Sequence, residues 1–524
     1  MCGFAGELAR SGSPDGAAVG RMTEILAPRG PDGQGSWSQG RLALGHRRLK
    51  VIDLSENGAQ PMVDEALDLV IAYNGCIYNY PALRAELEGD GYRFFSTSDT
   101  EVILKSYHRW GKHFVDHLKG MFAFCLAERT TGKVVLARDR LGIKPLYLSE
   151  TPDRLRFAST LPALLAGGGV DTTLDRTALH HYLTWHSVVP APRTILRGVR
   201  KLAPATVLII EPDGRRESWE FWNPPFARSP ERGTWDEAEW RDGVLVAMRE
   251  AIGRRMVGDV PVGVLLSGGL DSSLIVGLLA EAGQRHLATF SVGFPAVGGK
   301  EGDEFRYSDV IARRYDTDHH RIEIADERLL PAVKESITAM SEPMISHDVV
   351  AFYLLSEQVS KHVKVVQSGQ GADEVFAGYS WYQPLADADT DADGDADRDG
   401  LDAYAAEFFD RPHEEMAEML APDYRIGTDA SRDFAHGHFA AGGSEGPLDR
   451  ALRLDTRVML IDDPVKRVDN MTMAWGLEAR TPFLDHELVE LAATCPPELK
   501  LSHGGKGILK IAARTILPDE IIDR

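Results

Sequence analysis

Over residues 1–210, apolar and polar positions alternate in short runs cut by Gly, Pro and Asp turns; Leu67-Asp68-Leu69-Val70-Ile71-Ala72-Tyr73 and Met121-Phe122-Ala123-Phe124-Cys125-Leu126-Ala127 are examples. Short runs of this kind predict strands. Helical spacing intervenes at residues 80–89 and 100–110. Strands interleaved with helices predict an α+β, sandwich-like layered domain. A polar, Pro-bearing stretch at 211–239, from Glu211-Pro212-Asp213-Gly214 to Pro230-Glu231-Arg232-Gly233, predicts a linker. From 240 to 524 the pattern changes. A long helix at 235–255 leads to an apolar strand at 260–266, a Gly-rich turn, a helix at 272–282 and a second strand at 288–294. Strand, helix, strand in that order predicts a parallel, doubly wound α/β unit. From about residue 449 the pattern is mostly helical, and the last residues, Ile521-Ile522-Asp523-Arg524, carry no capping or tail pattern, which leaves a truncated C-terminus open.

Residues 386–400 are low in complexity and rich in Asp and Ala. A calcium loop needs Gly at its sixth position and a bidentate acid at its twelfth. Counting from Asp395, Gly400 is sixth but Ala406 is twelfth; counting from Asp389, Gly400 itself is twelfth. Neither register fits, and the expectation is a solvated, disordered acidic insertion.

At 524 residues the chain exceeds one ordinary core, in keeping with two domains. With 43% apolar and 26% charged residues it has a globular balance. It holds no apolar run long enough to span a bilayer, and its start is unlike a secretory signal, so a cytoplasmic protein is expected. A net charge of −21 disfavours nucleic acid and anionic membranes as partners. It leaves room for ATP, whose phosphates are handled by local backbone amides and magnesium. Cys2, Cys76, Cys125 and Cys495 stand far apart, against a zinc site or a disulfide framework. His319-His320 and His347-Asp348 also fit no zinc spacing, which points to structural or nucleotide-pocket roles.

Cys2 becomes the terminal residue once Met1 is removed, and its α-amine can then act as base for its own thiol. The runs Arg29-Gly30-Pro31-Asp32-Gly33, Gly45-His46-Arg47-Arg48-Leu49, Tyr73-Asn74-Gly75 and Ser98-Asp99-Thr100-Glu101 follow in order. A guanidinium such as Arg48 clamps a carboxylate bidentately, a carboxylate such as Asp99 holds an ammonium, and the Asn74 amide with the Gly75 N–H can form an oxyanion hole. With these residues the chain resembles the N-terminal-nucleophile (class II) glutamine amidotransferases. The resemblance implies an αββα sandwich in which Cys2 forms a glutamyl thioester and releases ammonia. Members usually read Asn-Gly-Glu-Ile-Tyr-Asn, where this chain reads Asn74-Gly75-Cys76-Ile77-Tyr78-Asn79. The missing glutamate would help to bind the α-ammonium, so weaker glutamine binding is expected. Cys76 is read as a packing residue, with a redox liability as the alternative.

The second centre is Ser267-Gly268-Gly269-Leu270-Asp271-Ser272, between a strand and a helix. Glycines turn N–H groups toward an anion at a helix N-terminus, Ser267 and Ser272 add hydroxyls, and Asp271 is suited to magnesium. The Gly-Lys-Ser/Thr ending of a Walker loop is absent. The hexapeptide resembles the pyrophosphate loop of enzymes that split ATP into AMP and pyrophosphate. With Phe290-Ser291-Val292-Gly293-Phe294, Ser368-Gly369-Gln370-Gly371-Ala372-Asp373-Glu374, the run from Gly476 to Asp485 and Gly504-Gly505-Lys506, it resembles the glutamine-hydrolysing asparagine synthetases over nearly the whole chain. That resemblance implies Leu265 and Val292 beside adenine, Ser368 and Gly369 on the nucleotide, Asp271 and Asp373 on magnesium and pyrophosphate, and Lys506 on the adenylating phosphate. The acceptor carboxylate would become an acyl-AMP, attacked by ammonia arriving through an internal tunnel. The implied partners are glutamine, ATP with Mg2+ and a carboxylate acceptor, with a homodimer left open.

Gln370 stands where asparagine synthetases usually carry an acid, and an amide is no base at neutral pH. In this run, and in residues 295–305, the chain resembles the N-acetylglutaminylglutamine amidotransferases. That dipeptide is the expected acceptor, with aspartate as the alternative. Two further readings stay open: a glutaminase-linked transferase, disfavoured by the pyrophosphate loop and Lys506, and a non-catalytic relative marked by Cys76 and Gln370.

Overall fold

The computed structural model describes residues 2–293, 305–346, 348–387, 396–443 and 446–524. Alternating residues in the first half build two six-stranded antiparallel sheets. One sheet centres on Cys2–Ala9, flanked by Leu42–Arg48 and Arg154–Ala158; the other centres on Gly120–Glu128, flanked by Leu69–Ile77 and Val134–Arg138. Their facing sides meet through Phe4, Leu44, Val70, Ala123, Leu136 and Phe157. Helices Gly16–Ile25 and Leu161–Gly167 cover one outer face, and Tyr80–Gly89 and Asp99–Trp110 cover the other. Face-to-face sheets with helices outside are the expected αββα sandwich, since each sheet has two apolar faces to bury.

The second half holds five parallel strands in the order Asp318–Glu323, Ala288–Gly293, Val262–Leu265, Val365–Gln367, Glu478–Arg480. Helices Glu237–Arg254 and Leu270–Glu281 bury Trp240, Val244, Met248, Leu274, Ile275 and Leu278 against it. The doubly wound expectation thus holds. The strand order reverses beside Val262–Leu265, and a ligand crevice is expected at the carboxyl ends of strands at such a point.

The halves share one core. Leu49, Val51, Ile52, Cys76, Tyr78, Met121, Leu141 and Ile143 from the sandwich belong to the same apolar cluster as Val262, Val264, Leu274, Ala372 and Phe483. Buried polar ties cross the boundary: Arg29 donates to both Asp469 oxygens at 2.8 and 3.1 Å, and Lys144 approaches the same carboxylate at 3.2 Å.

Two expectations are corrected. Within the stretch expected to be a linker, Arg216–Glu220 forms an edge strand antiparallel to Thr206–Ile210, because Trp219 and Phe221 pack on the sandwich's outer cluster. Within the acidic stretch expected to be disordered, helix Ala396–Phe408 begins, because Leu401, Tyr404 and Phe408 share a helical face buried against Phe439, Leu448 and Leu452. Residues 388–395 lie outside the described residues, as do 295–304 and His347. Among the described residues no helix is long and apolar enough to cross a membrane.

Candidate active sites

Cys2 opens its strand directly opposite Arg48 on the neighbouring strand, so β-pairing alone places thiol and guanidinium side by side. The Cys2 N–H donates to Asn74 Oδ1 at 3.1 Å, joining the two sheets. That contact leaves the other end of the buried amide, Asn74 Nδ2, without a partner, as an oxyanion-hole donor requires. Gly75 follows; a Cβ there would meet the Met121 carbonyl oxygen at 2.1 Å, so no other residue fits the strand so close to its neighbour. Asp99 opens helix Asp99–Trp110 behind the Ser98 cap and takes the Tyr73 hydroxyl at 2.9 Å and the Ile77 N–H at 3.0 Å. Arg48 donates to the carbonyls of Ser55, Ile52 and Asp53, all on the loop that follows it.

Cys2, Arg48, Gly75 and Asp99 line one cavity of about 30 Å³. Burial raises the Cys2 thiol above its usual pKa, against the pull of the Leu49 N–H and the Arg48 charge. Burial also raises Asp99. Its charge therefore wants a cation, which an α-ammonium would supply.

At the second centre, strand Val262–Leu265 ends in the Gly-rich turn. Gly268 has φ +77°, and a Cβ there would meet Ser308 N at 2.5 Å, so the turn is held against helix Phe305–Tyr315. Ser272 Oγ accepts from Ser267 N at 3.2 Å and lies 3.1 Å from Ser267 Oγ, which closes the loop around the helix start. Leu265, Ser267, Gly269, Asp271, Ser272, Val292, Ser368, Gly369, Gln370 and Asp373 line a cavity of about 270 Å³, at the carboxyl ends of the strands. Gly268 stands behind this lining, and Lys506 reaches it through Asp271 and Asp373, each 2.8 Å from Nζ. Burial works to lower the Lys506 pKa, but the two carboxylates carry it above the usual lysine value. Asp271 is raised by burial and by Asp373, with Lys506 opposing. Its Oδ1 is buried without a partner, an atom awaiting a cation.

Several lining residues carried no expectation. Phe290, Phe352, Glu374 and Tyr379 also line the cavity at the Gly-rich turn; Asp348, of the pair His347-Asp348 expected in a structural or nucleotide-pocket role, lines it too. Glu374 takes the Tyr379 hydroxyl at 2.8 Å, and burial with neighbouring Asp373 pushes its pKa up to about 7. In the Cys2 cavity, Glu478 arrives from the parallel sheet. A signal for it exists, since strands buried in parallel sheets are normally apolar, yet Glu478-Ala479-Arg480 carries two charges. His319 lies 2.8 Å from Thr289 Oγ1, and His320 stacks on Phe290.

The two halves match two family models: the glutamine amidotransferase domain over residues 1–222 and asparagine synthase over residues 243–524. This chain belongs to the asparagine synthase family. It is 32% identical to asparagine synthetase (glutamine-hydrolyzing) 1 of Bacillus subtilis and 30% identical to asparagine synthetase (glutamine-hydrolyzing) 3 of the same organism; each match covers 100% of this chain and 86% of the relative. It is also 28% identical to amidase chry2 of Gibberella zeae, over 95% of this chain and 82% of that one. As a family member it is an ATP-dependent carbon–nitrogen ligase of the glutamine-hydrolysing type.

Proposed function

We propose that the chain transfers the amide nitrogen of glutamine to an acceptor carboxylate that it first activates as an acyl-AMP. Cys2 Sγ attacks the glutamine amide carbon, and the oxyanion forms against Asn74 Nδ2 and the Gly75 N–H. The α-amine of processed Cys2 passes the thiol proton to the leaving ammonia, and water hydrolyses the thioester to glutamate. Arg48 holds the α-carboxylate and Asp99 the α-ammonium. At the second centre the acceptor oxygen attacks the α-phosphate of ATP and pyrophosphate leaves; ammonia then displaces AMP. Leu265 and Val292 flank the base, Ser368 and Gly369 hold the nucleotide, and Lys506 stabilises the charge that builds on the phosphate. The observation that carries the reading is one apolar core joining a cysteine cavity with an unpartnered amide donor to a Gly-rich cavity with an unpartnered carboxylate oxygen. Cys76, Tyr78, Met121, Ala372 and Val375 in that core suit the passage of a small neutral molecule.

Magnesium fits the donors present: the orphaned Asp271 Oδ1 and the carboxylate of Asp373. Bound there, it would neutralise the departing pyrophosphate. Among the described residues no cluster of three or more His, Cys, Asp or Glu could hold a metal unaided, so phosphate oxygens and water would supply the remaining ligands.

For the acceptor we favour N-acetylglutaminylglutamine over aspartate. Apart from Lys506, already paired with Asp271 and Asp373, and Arg467, near Asp348, no Arg, Lys or His is found among the described residues at the nucleotide cavity, whereas Asp271, Asp348, Asp373 and Glu374 are all acidic. Aspartate would bring a second carboxylate that needs a cation. The acylated dipeptide has a single carboxylate, the one that reacts, and neutral amides that Gln370 can both donate to and accept from. The test is to supply ATP, magnesium and glutamine with either acceptor, and to follow AMP, pyrophosphate and the amide product by mass. Turnover with the dipeptide alone is expected; turnover with aspartate alone overturns the acceptor assignment.

A further inference from the structure

Glu478 belongs to the outermost strand of the parallel sheet, in the synthetase half, yet it lines the Cys2 cavity together with Arg48 and Asp99. It is 1% exposed, between Leu477 and Ala479, themselves buried. A charge held at such a position is costly unless it is paired and used. One pairing is with Arg480, whose Nε donates to Glu478 Oε1 at 2.6 Å, and another is with the N-terminal ammonium. The same guanidinium donates to the carbonyls of Arg255 and Val257 at 2.7 and 2.5 Å and reaches Cys76 Sγ at 3.6 Å. Burial would raise the Glu478 carboxyl, but the N-terminal ammonium and then Arg480, each by charge and by hydrogen bond, hold it at about 2.

The cavity lining therefore carries two kinds of charge, one cation and two acids. The cation, Arg48, meets only carbonyl oxygens among its described contacts, which leaves its charge for an incoming carboxylate. The two acids are Asp99 from the sandwich and Glu478 from the sheet. On the sandwich's own strand the neighbouring cavity residue, Cys76, is a thiol that burial raises, hence neutral.

We propose that Glu478 is a substrate-binding residue of the glutaminase site, sharing the α-ammonium of glutamine with Asp99, so that the synthetase half completes the glutamine pocket. The proposal rests on the glutaminase reading of Cys2.

The test compares glutamine with glutaramate, which has the same amide and carboxylate but no α-amine, in full-length protein. In Glu478→Gln, KM for glutamine should rise about tenfold or more, as expected for a lost charge-assisted contact. KM for glutaramate and kcat should stay within about threefold, so that the enzyme loses its preference for the amine-bearing substrate. Ammonia-dependent synthesis reports on folding. If that too is lost, Glu478→Asp carries the test, with a smaller fall in the same preference expected. A preference unchanged in the variant that folds, or KM values for both substrates rising together, overturns the proposal. Wild-type protein that makes amide from ammonia but hydrolyses neither substrate overturns the glutaminase reading, and this one with it.

Discussion

The two cavities of this chain solve opposite problems. The glutaminase cavity measures about 30 Å³ and is walled by buried side chains from both halves, whereas the nucleotide cavity measures about 270 Å³ and sits on loops at the ends of parallel strands. Some 30 Å³ is room for about two waters, far less than the nucleotide cavity offers. Loop 49–60, whose carbonyls hold Arg48, is tied to the synthetase half where Asp259 Oδ2 accepts from Asp53 N at 2.7 Å. The nucleotide cavity is open already, and its four acids are met by Lys506 on Asp271 and Asp373 and by Arg467 near Asp348, with Asp271 Oδ1 still without a partner. Fixed charge aimed at a small zwitterion, against acid awaiting an ion and phosphates, is the contrast that experiments can break.

The largest effect should come from Cys2→Ala. Glutamine-dependent amide synthesis should fall by about 10³-fold or more, while ammonia-dependent synthesis persists. Equal loss of both would mean that the cavities do not work as separate centres. Lys506→Ala tests the other side: AMP formation should drop by about 10²–10³-fold with either nitrogen source, while glutamine hydrolysis continues. Asn74→Ala removes one oxyanion donor and should cost about 10²–10³ in glutaminase kcat with little change in KM, since the donor acts on charge that only the transition state develops. Arg29→Met strands the buried Asp469 carboxylate beside Lys144 alone and should destabilise the protein by about 3–5 kcal/mol in chemical denaturation.

The smallest effects concern pH, and here the halves have opposite signs. His46, in the strand that carries Arg48, has its pKa lowered by burial to about 3. Unfolded protein then binds a proton that folded protein refuses, so stability falls as pH drops below about 6.5, by about 2 kcal/mol at pH 5. Asp455, between Tyr382 and Tyr404, is raised by burial to about 6. Folded protein holds that proton more tightly, so its contribution falls as pH rises from about 4 to 6. Denaturation of His46→Gln and Asp455→Asn from pH 4 to 7 should flatten the two slopes separately. If neither profile differs from that of wild type, burial does not set these ionisations.

Most of the candidate glutaminase and nucleotide residues are legible along the chain because each lies in a local pattern. Cys2, Arg48 and Asp99 sit at strand or helix ends and Asn74 inside a paired strand, where pairing and capping place them, and the Gly-rich turn follows its strand directly. The edge strand Arg216–Glu220 was hidden by its polar residues, since only Trp219 and the following Phe221 reach the sandwich. The start of helix Ala396–Phe408 was hidden by Asp-rich composition, although Leu401, Tyr404 and Phe408 recur at helical spacing. Glu374 closes a recognised run and Tyr379 follows it, but their shared hydrogen bond depends on a turn through Ala377 at φ +54°.

Sequence alone determined the two layer types, their order and the reaction class of the family, because periodicity, turn residues and short motifs act over a few residues. Tertiary structure alone decided that the two centres share a core and that Glu478 enters the cavity of Cys2. It also decided that Arg29 pairs with Asp469 across 440 positions and Arg480 with Cys76 across 404. Contacts at that separation leave no periodic trace. They exist because the apolar faces of the two halves are buried against each other, and every charge caught between them must find its partner there.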